Sequence, residues 1–309
     1  MRPATRSPPL FSPGEAQSQA YINLRDANAA DAAAGREFVE QLWDRYFSFA
    51  DEHFLTEIRR DFHARFWEMY LTCALIEAAA TGSYRVSCPK PGPDNLIERD
   101  GRRIWVEAVT ATPGNPSKPD RLVARIDGQM SIVPADKIVL RYSNAIAEKY
   151  AKYRGYLDSG IVDAKDSFVV AVNGWSLDYS WASGELPRFL KAVFPLGAMG
   201  YAIDSRTKEI VDRNHQFRPI IHKTNRAPVS TELFVSEHCI GISAVLHSDA
   251  HAFMTQPLGA DFQVAHNPLA TQPVAAGLIP SWREWRATAK EGGGYELAWC
   301  GGSLSSHSS

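Results

Sequence analysis

Residues 92–114 read GPDNLIERDGRRIWVEAVTATPG. Two strand-like runs, Asp94 to Glu98 and Arg103 to Thr110, flank the pair Asp100-Gly101. An Asp-Gly pair between such runs predicts a tight β-hairpin, because both central turn residues take positive φ, which Gly adopts freely and Asp more readily than most. A hairpin brings side chains that are distant in sequence into contact. Asp94 stands at the start of the first run and Glu107 inside the second, so the two carboxylates are expected to meet. Paired hard-oxygen ligands suit a divalent cation, which activates water and neutralises charge on a phosphate. The alternative leaves Asp94 as a turn residue after Gly92-Pro93 and Glu107 as a solvated group on an edge strand. Against it, Glu107 lies in the apolar run Ile104 to Val109, where a charge needs a partner.

Upstream, apolar residues recur at helical spacing from Ala33 to Ala80, as in Phe38, Leu42, Tyr46 and then Phe62, Phe66, Met69. Two or three helices are predicted there, with Gly82 closing the last and a strand from Tyr84 to Cys88 following. Downstream, a loop from Pro113 to Pro119 leads to a strand-like Lys137 to Arg141. A helix is then expected from an N-cap at Ser143 or Asn144 to Gly160. Ser167 to Val172 reads as a strand buried on both faces. Further on, a helix near Glu185 to Phe194 and strands near Cys239 to His247 and Asp261 to His266 are expected. The aromatic residues Trp282, Trp285 and Trp299 are expected to pack back on the core. The fold class is α/β, bordering on α+β. Residues 1–18 and 301–309 read as polar tails around a single domain, 19–300.

At Pro93-Asp94 and Glu107 the chain resembles the PD-(D/E)XK superfamily of restriction-type endonucleases, whose pattern is Pro-Asp, a spacer, then an acid, any residue and a lysine on the next strand. The likeness extends to the order of leading helix, hairpin, crossover helix and strand over roughly residues 60–175, with 176–300 as an elaboration. It implies a restriction-endonuclease-like core, a mixed β-sheet flanked by helices, and a nuclease that needs Mg²⁺ or Mn²⁺ and acts on nucleic acid, DNA first. Asp94 and Glu107 would then hold the metal. The leading helix of several branches adds an acid, and Glu68 in RFWEMYL is placed for that part. The motif lysine is missing, since Val109 stands two residues after Glu107; some relatives carry it on the following helix, where Lys149 is available with Lys152 beside it. Without such a lysine the resemblance implies a catalytically silent module that binds DNA or a protein partner.

The formal net charge of −2 gives no global pull toward nucleic acid or anionic membrane, so contact with a polyanion would need a local basic patch. One such patch is the helix segment from Lys149 to Tyr156, where basic and aromatic side chains interleave. The four cysteines are too scattered for a CxxC site and too few for a disulfide framework, which favours a cytoplasmic setting. Neither a signal peptide nor a membrane span is expected. Glycine-rich phosphate loops and a nucleophile elbow are missing. His247, Asp249 and His251 alternate as ligands on one strand face could, or as polar residues in a loop after the strand.

Overall fold

The computed structural model describes residues 7–26, 28–126, 128–129, 132–178, 186–279, 283–289 and 295–301. Helices α1 (Gln19–Asp26), α2 (Ala30–Tyr46), α3 (Phe54–Arg60) and α4 (Phe62–Gly82) come first. Strands β1 (Arg85–Ser87), β2 (Asn95–Arg99) and β3 (Arg102–Thr110) follow, then α5 (Ala135–Asp158) and β4 (Ser167–Asn173). The remainder comprises α6 (Leu190–Val193), β5 (Leu196–Ile203), β6 (Ile210–Phe217), β7 (Ile220–His222), β8 (Pro228–Ser230), β9 (Ala244–Ser248), β10 (Gln263–His266), β11 (Arg283–Ala289) and β12 (Tyr295–Gly301).

The hairpin forms as its turn chemistry dictates. Asp100 and Gly101 take φ of 50° and 74°, the paired positive values of a tight two-residue turn, and β2 pairs antiparallel with β3 from Arg99↔Arg102 to Asn95↔Val106. From β3 the chain crosses through α5 to β4, which lies parallel to β3. Eight strands form one mixed sheet in the order β1-β2-β3-β4-β9-β10-β11-β12, with β4 parallel to both neighbours. The sequence SFVVAVN of β4 fits that central place, since helices cover both faces and each of its apolar side chains is buried.

Alternation along the strands sorts side chains between two cores. Ile104, Val106 and Ala108 of β3, with Val169 and Ala171 of β4, face the helices α1–α4. Trp105 of β3, with Phe168, Val170 and Val172 of β4, faces α5 and α6. Helix α4 starts where the Asp61 carboxylate accepts the Ala64 N–H, and its middle is buried on every side because it lies between α2, α3 and the sheet. Trp67 fastens it to the sheet centre by donating from Nε1 to the Ala171 carbonyl at 2.9 Å.

Several expectations are corrected. Lys137 to Arg141 is helix, not strand: α5 begins at Ala135, and Ser143 and Asn144 lie inside it rather than at its cap. The β-branched run is apolar because this end of α5 is covered on more than one side, with Ile138, Val139 and Leu140 all buried. Residues 7–18, expected as tail, are packed: Leu10 is fully buried, and the Leu10 and Phe11 N–H groups donate to the Glu40 carboxylate. Only Leu190–Val193 of the helix expected at 185–194 forms, with Glu185 outside the described residues. The strand expected from Cys239 begins at Ala244, after a turn at Glu237–Cys239. Trp285 is buried whereas Trp299, opposite it on β12, is half exposed; Trp282 and residues 302–309 lie outside the described residues. Among the described residues no helix is long and apolar enough to cross a membrane.

Candidate active site

The β3 strand ends at a cleft of about 1160 Å³ between α4 and α5. Glu68, Asp94, Glu107 and Lys149 all line it, each delivered by a different element. Asp94 stands one residue before β2, and the hairpin register continued one step beyond Asn95↔Val106 sets it opposite Glu107. Its Oδ2 accepts the Ala108 N–H at 2.7 Å, so the acid is tied to the strand that carries Glu107. Burial pushes the Asp94 carboxyl up to about 7, and the nearby charges of Glu107 and Glu68 add to the rise. The two acids thus share one site rather than opposite faces.

Glu107 is 1% exposed, on the α5 face of the sheet with Trp105 and Val109. Burying a carboxylate there requires compensation, and α5 supplies it. Lys149 Nζ donates to Glu107 Oε1 at 2.9 Å and Lys152 Nζ to the same oxygen at 2.7 Å. The Tyr156 hydroxyl lies 3.4 Å from Oε2 and 3.2 Å from the Gly92 carbonyl, joining helix, acid and the loop before Asp94. Lys149, Lys152 and Tyr156 recur at three and four residues, so one helix face carries all three. Burial lowers the Lys152 ammonium pKa, but the carboxylate beside it outweighs that and the net shift is upward.

Glu68 enters from the other layer. Its Oε1 accepts the Tyr46 hydroxyl at 2.8 Å and its Oε2 accepts Arg65 Nη1 at 2.7 Å. Both oxygens are therefore held by partners from α2 and α4, which leaves Glu68 as a fixed charge beside Asp94. Together these groups form a cluster of largely buried carboxylates on the wall of the cleft, whose cationic counterpart comes from α5. The donors match a hard divalent cation in kind, since Asp94 is raised partly by the other acids. They are few, however: among the described residues no group of three or more His, Cys, Asp or Glu is assembled to hold a metal ion.

His247 and Asp249 stay together, with His247 Nε2 3.6 Å from Asp249 Oδ1, and His251 turns away from them. The His247 ring stacks on Phe189 at 4.6 Å and its Nε2 lies 3.0 Å from the Tyr142 hydroxyl, while the His251 ring stacks on Trp175 at 3.8 Å. Burial lowers His247 to about 4 and raises Asp249 to about 7, which makes this a buried polar joint between β9 and α5. The cleft also holds residues that the sequence reading did not assign to it. Arg141 and Arg121 line it, and reading 137–141 as a strand hid the spacing that sets Arg141 on the helix face of Ala145 and Glu148.

Fold and site define an α/β protein with a large mixed sheet flanked by helices and a cleft lined by carboxylates and cations at the end of its parallel crossover. Comparison with family models, with curated proteins and with solved structures returns no match to this chain.

Proposed function

We propose that the protein is a divalent-metal-dependent phosphodiesterase of the PD-(D/E)XK type acting on nucleic acid. The observation that carries this reading is the convergence of Asp94, Glu107, Glu68 and a displaced lysine, Lys149, in one cleft. The order α4, β1, β2, β3, α5, β4, with the hairpin antiparallel and the crossover parallel, supports the same likeness. Asp94 and Glu107 would hold Mg²⁺ or Mn²⁺, which supplies Lewis acidity and lowers the pKa of bound water. Glu68, fixed by Tyr46 and Arg65, adds negative charge that favours a cation beside Asp94. Lys149 neutralises Glu107 in the resting geometry and carries an ammonium that can turn to a phosphate oxygen in the same space. Lys152 then remains on Glu107, so the acid keeps a partner while Lys149 moves.

Incubation of the purified protein with plasmid, linear and single-stranded DNA in Mg²⁺ or Mn²⁺ tests the reading. Cleavage abolished by a chelator is the expected result, and intact substrates in every combination would remove it. A specific observation favours a second reading, a silent binding module: two lysines already satisfy one Glu107 oxygen, and among the described residues no group of three or more His, Cys, Asp or Glu is assembled around the acid pair. That reading expects nucleic acid or partner binding that persists without metal.

A further inference from the structure

Arg141 is the least compensated cation of the cleft. It lies on α5 two turns before Lys149, lines the same cavity, and has its Nε buried without a hydrogen-bond partner. Among the described residues its guanidinium has no ion-pair partner either. The acid whose charge acts on it is Asp120, whose Oδ1 accepts the Thr224 N–H and hydroxyl, each at 2.7 Å. Burial dominates its surroundings and pulls the guanidinium below its ordinary pKa, with Asp120 only partly opposing this. A cation held partly out of water without a partner is a cost unless something else supplies the anion.

The local backbone is shaped for this arrangement. Gly114 takes φ of +96°, and a Cβ there would collide with Arg141 Nη1, so the guanidinium beds on bare backbone. The same glycine lies beside the backbone of Arg121, a second cation of the cleft wall. Helix α5 therefore presents a cleft-facing stripe with Arg141 at one end and the lysines of the acid cluster at the other. Eight residues separate Arg141 from Lys149, about 12 Å at 1.5 Å per residue, and a stacked strand advances about 3.4 Å per nucleotide.

We infer that Arg141, seated on Gly114, anchors a backbone phosphate of a nucleic-acid strand about three to four nucleotides from the acid cluster, sharing the strand with Lys149. A planar guanidinium suits that ligand because it can give two parallel N–H bonds to one phosphate. The anchor selects for length: a polynucleotide reaches it and a small phosphodiester does not. It rests on the phosphodiesterase reading for the reaction it serves, but not for the binding it predicts.

The experiment measures binding of a fluorescein-labelled single-stranded 12-mer in chelator, so that no cleavage intervenes, across a series of salt concentrations. Wild-type protein, Arg141→Ala, Arg141→Lys and Gly114→Ala are compared. Arg141→Ala is expected to weaken binding about tenfold and to flatten the slope of log K against log salt by about 0.7, the share of one single-strand phosphate contact. Gly114→Ala is expected to reproduce much of the loss by displacing the guanidinium, and Arg141→Lys to restore the slope with part of the affinity. Thermal midpoints report folding, and Arg141→Ala removes an uncompensated charge, so its midpoint should not fall.

Equal affinity and salt slope in wild type and Arg141→Ala, or no binding by wild type at all, would overturn the inference. Arg141-dependent binding by a protein that cleaves nothing leaves the anchor standing and removes the phosphodiesterase. Cleavage that is indifferent to Arg141, with binding equally indifferent, does the reverse.

Discussion

At the scale of single residues the site is governed by charges that burial would forbid without partners. Asp94 is held near 7 by burial first and by Glu107 and Glu68 after it, well above the value of an unfolded aspartate. Between about pH 4 and 7 the folded state then binds more protons than the unfolded state, so this group makes stability fall as pH rises through that window. Asp94→Asn keeps an acceptor for the Ala108 N–H and cannot ionise. Its thermal midpoint should exceed that of wild type at pH 8, with the gap shrinking as pH falls toward 4; a constant gap would place the carboxyl in a water-like environment. Glu107 behaves differently because it has two cations. Lys149→Ala alone leaves Lys152 on Oε1 and should cost no more than about 1 kcal/mol, whereas removing both lysines strands a buried carboxylate and should cost about 3 to 5 kcal/mol in a denaturant titration. Near-equal losses in the single and double variants would contradict that assignment. The acid pair was legible in the sequence because an Asp-Gly turn fixes what lies opposite what. The environment of Glu68 was not, since Tyr46 and Arg65 reach it through tertiary packing that helical spacing does not encode.

At the scale of elements, the β2–β3 turn is the simplest determinant of the site. A Cβ at Gly101 would meet nothing within 4 Å, so Gly101→Ala isolates the cost of its φ of 74°. That cost is about 1 to 2 kcal/mol, read as a lower unfolding midpoint in urea at unchanged slope. An unchanged midpoint would mean that the turn does not set the register. The hairpin and β4 could be read directly, because turn chemistry and a continuous apolar run are local signals. The start of α5 could not. Lys137 to Arg141 carries adjacent Ile and Val and resembles a strand, and only the sheet beneath and the packing above make an apolar helix end favourable there. Residues 7–18 misled for the opposite reason: a proline-rich polar composition suggests a tail, yet Leu10 fills a core position and Trp43 Nε1 donates to the Pro8 carbonyl at 2.7 Å.

At the scale of the molecule, one sheet separates two cores, and the cleft opens where the separation ends, between a helix from each layer. That placement explains how acids from α4, β3 and the loop before β2 approach one another while α5 supplies the balancing cations. Strands β10–β12 extend the sheet away from this cleft; β10 was legible in the sequence, whereas the separate pairs β5–β6 and β7–β8 were not, because they lack tight-turn signals and β5, β7 and β8 bury few side chains. The function proposed for the cleft is phosphodiester hydrolysis with a divalent ion held by Asp94 and Glu107. Its most direct test is the initial rate of DNA cleavage in Mn²⁺ for wild type and Glu107→Gln, measured side by side on preparations of matched thermal stability. Wild type is expected to cleave in a metal-dependent way, and the variant at a rate at least a hundredfold lower, about 2.7 kcal/mol of transition-state stabilisation. No cleavage by wild type, or equal rates in the two proteins, would contradict it.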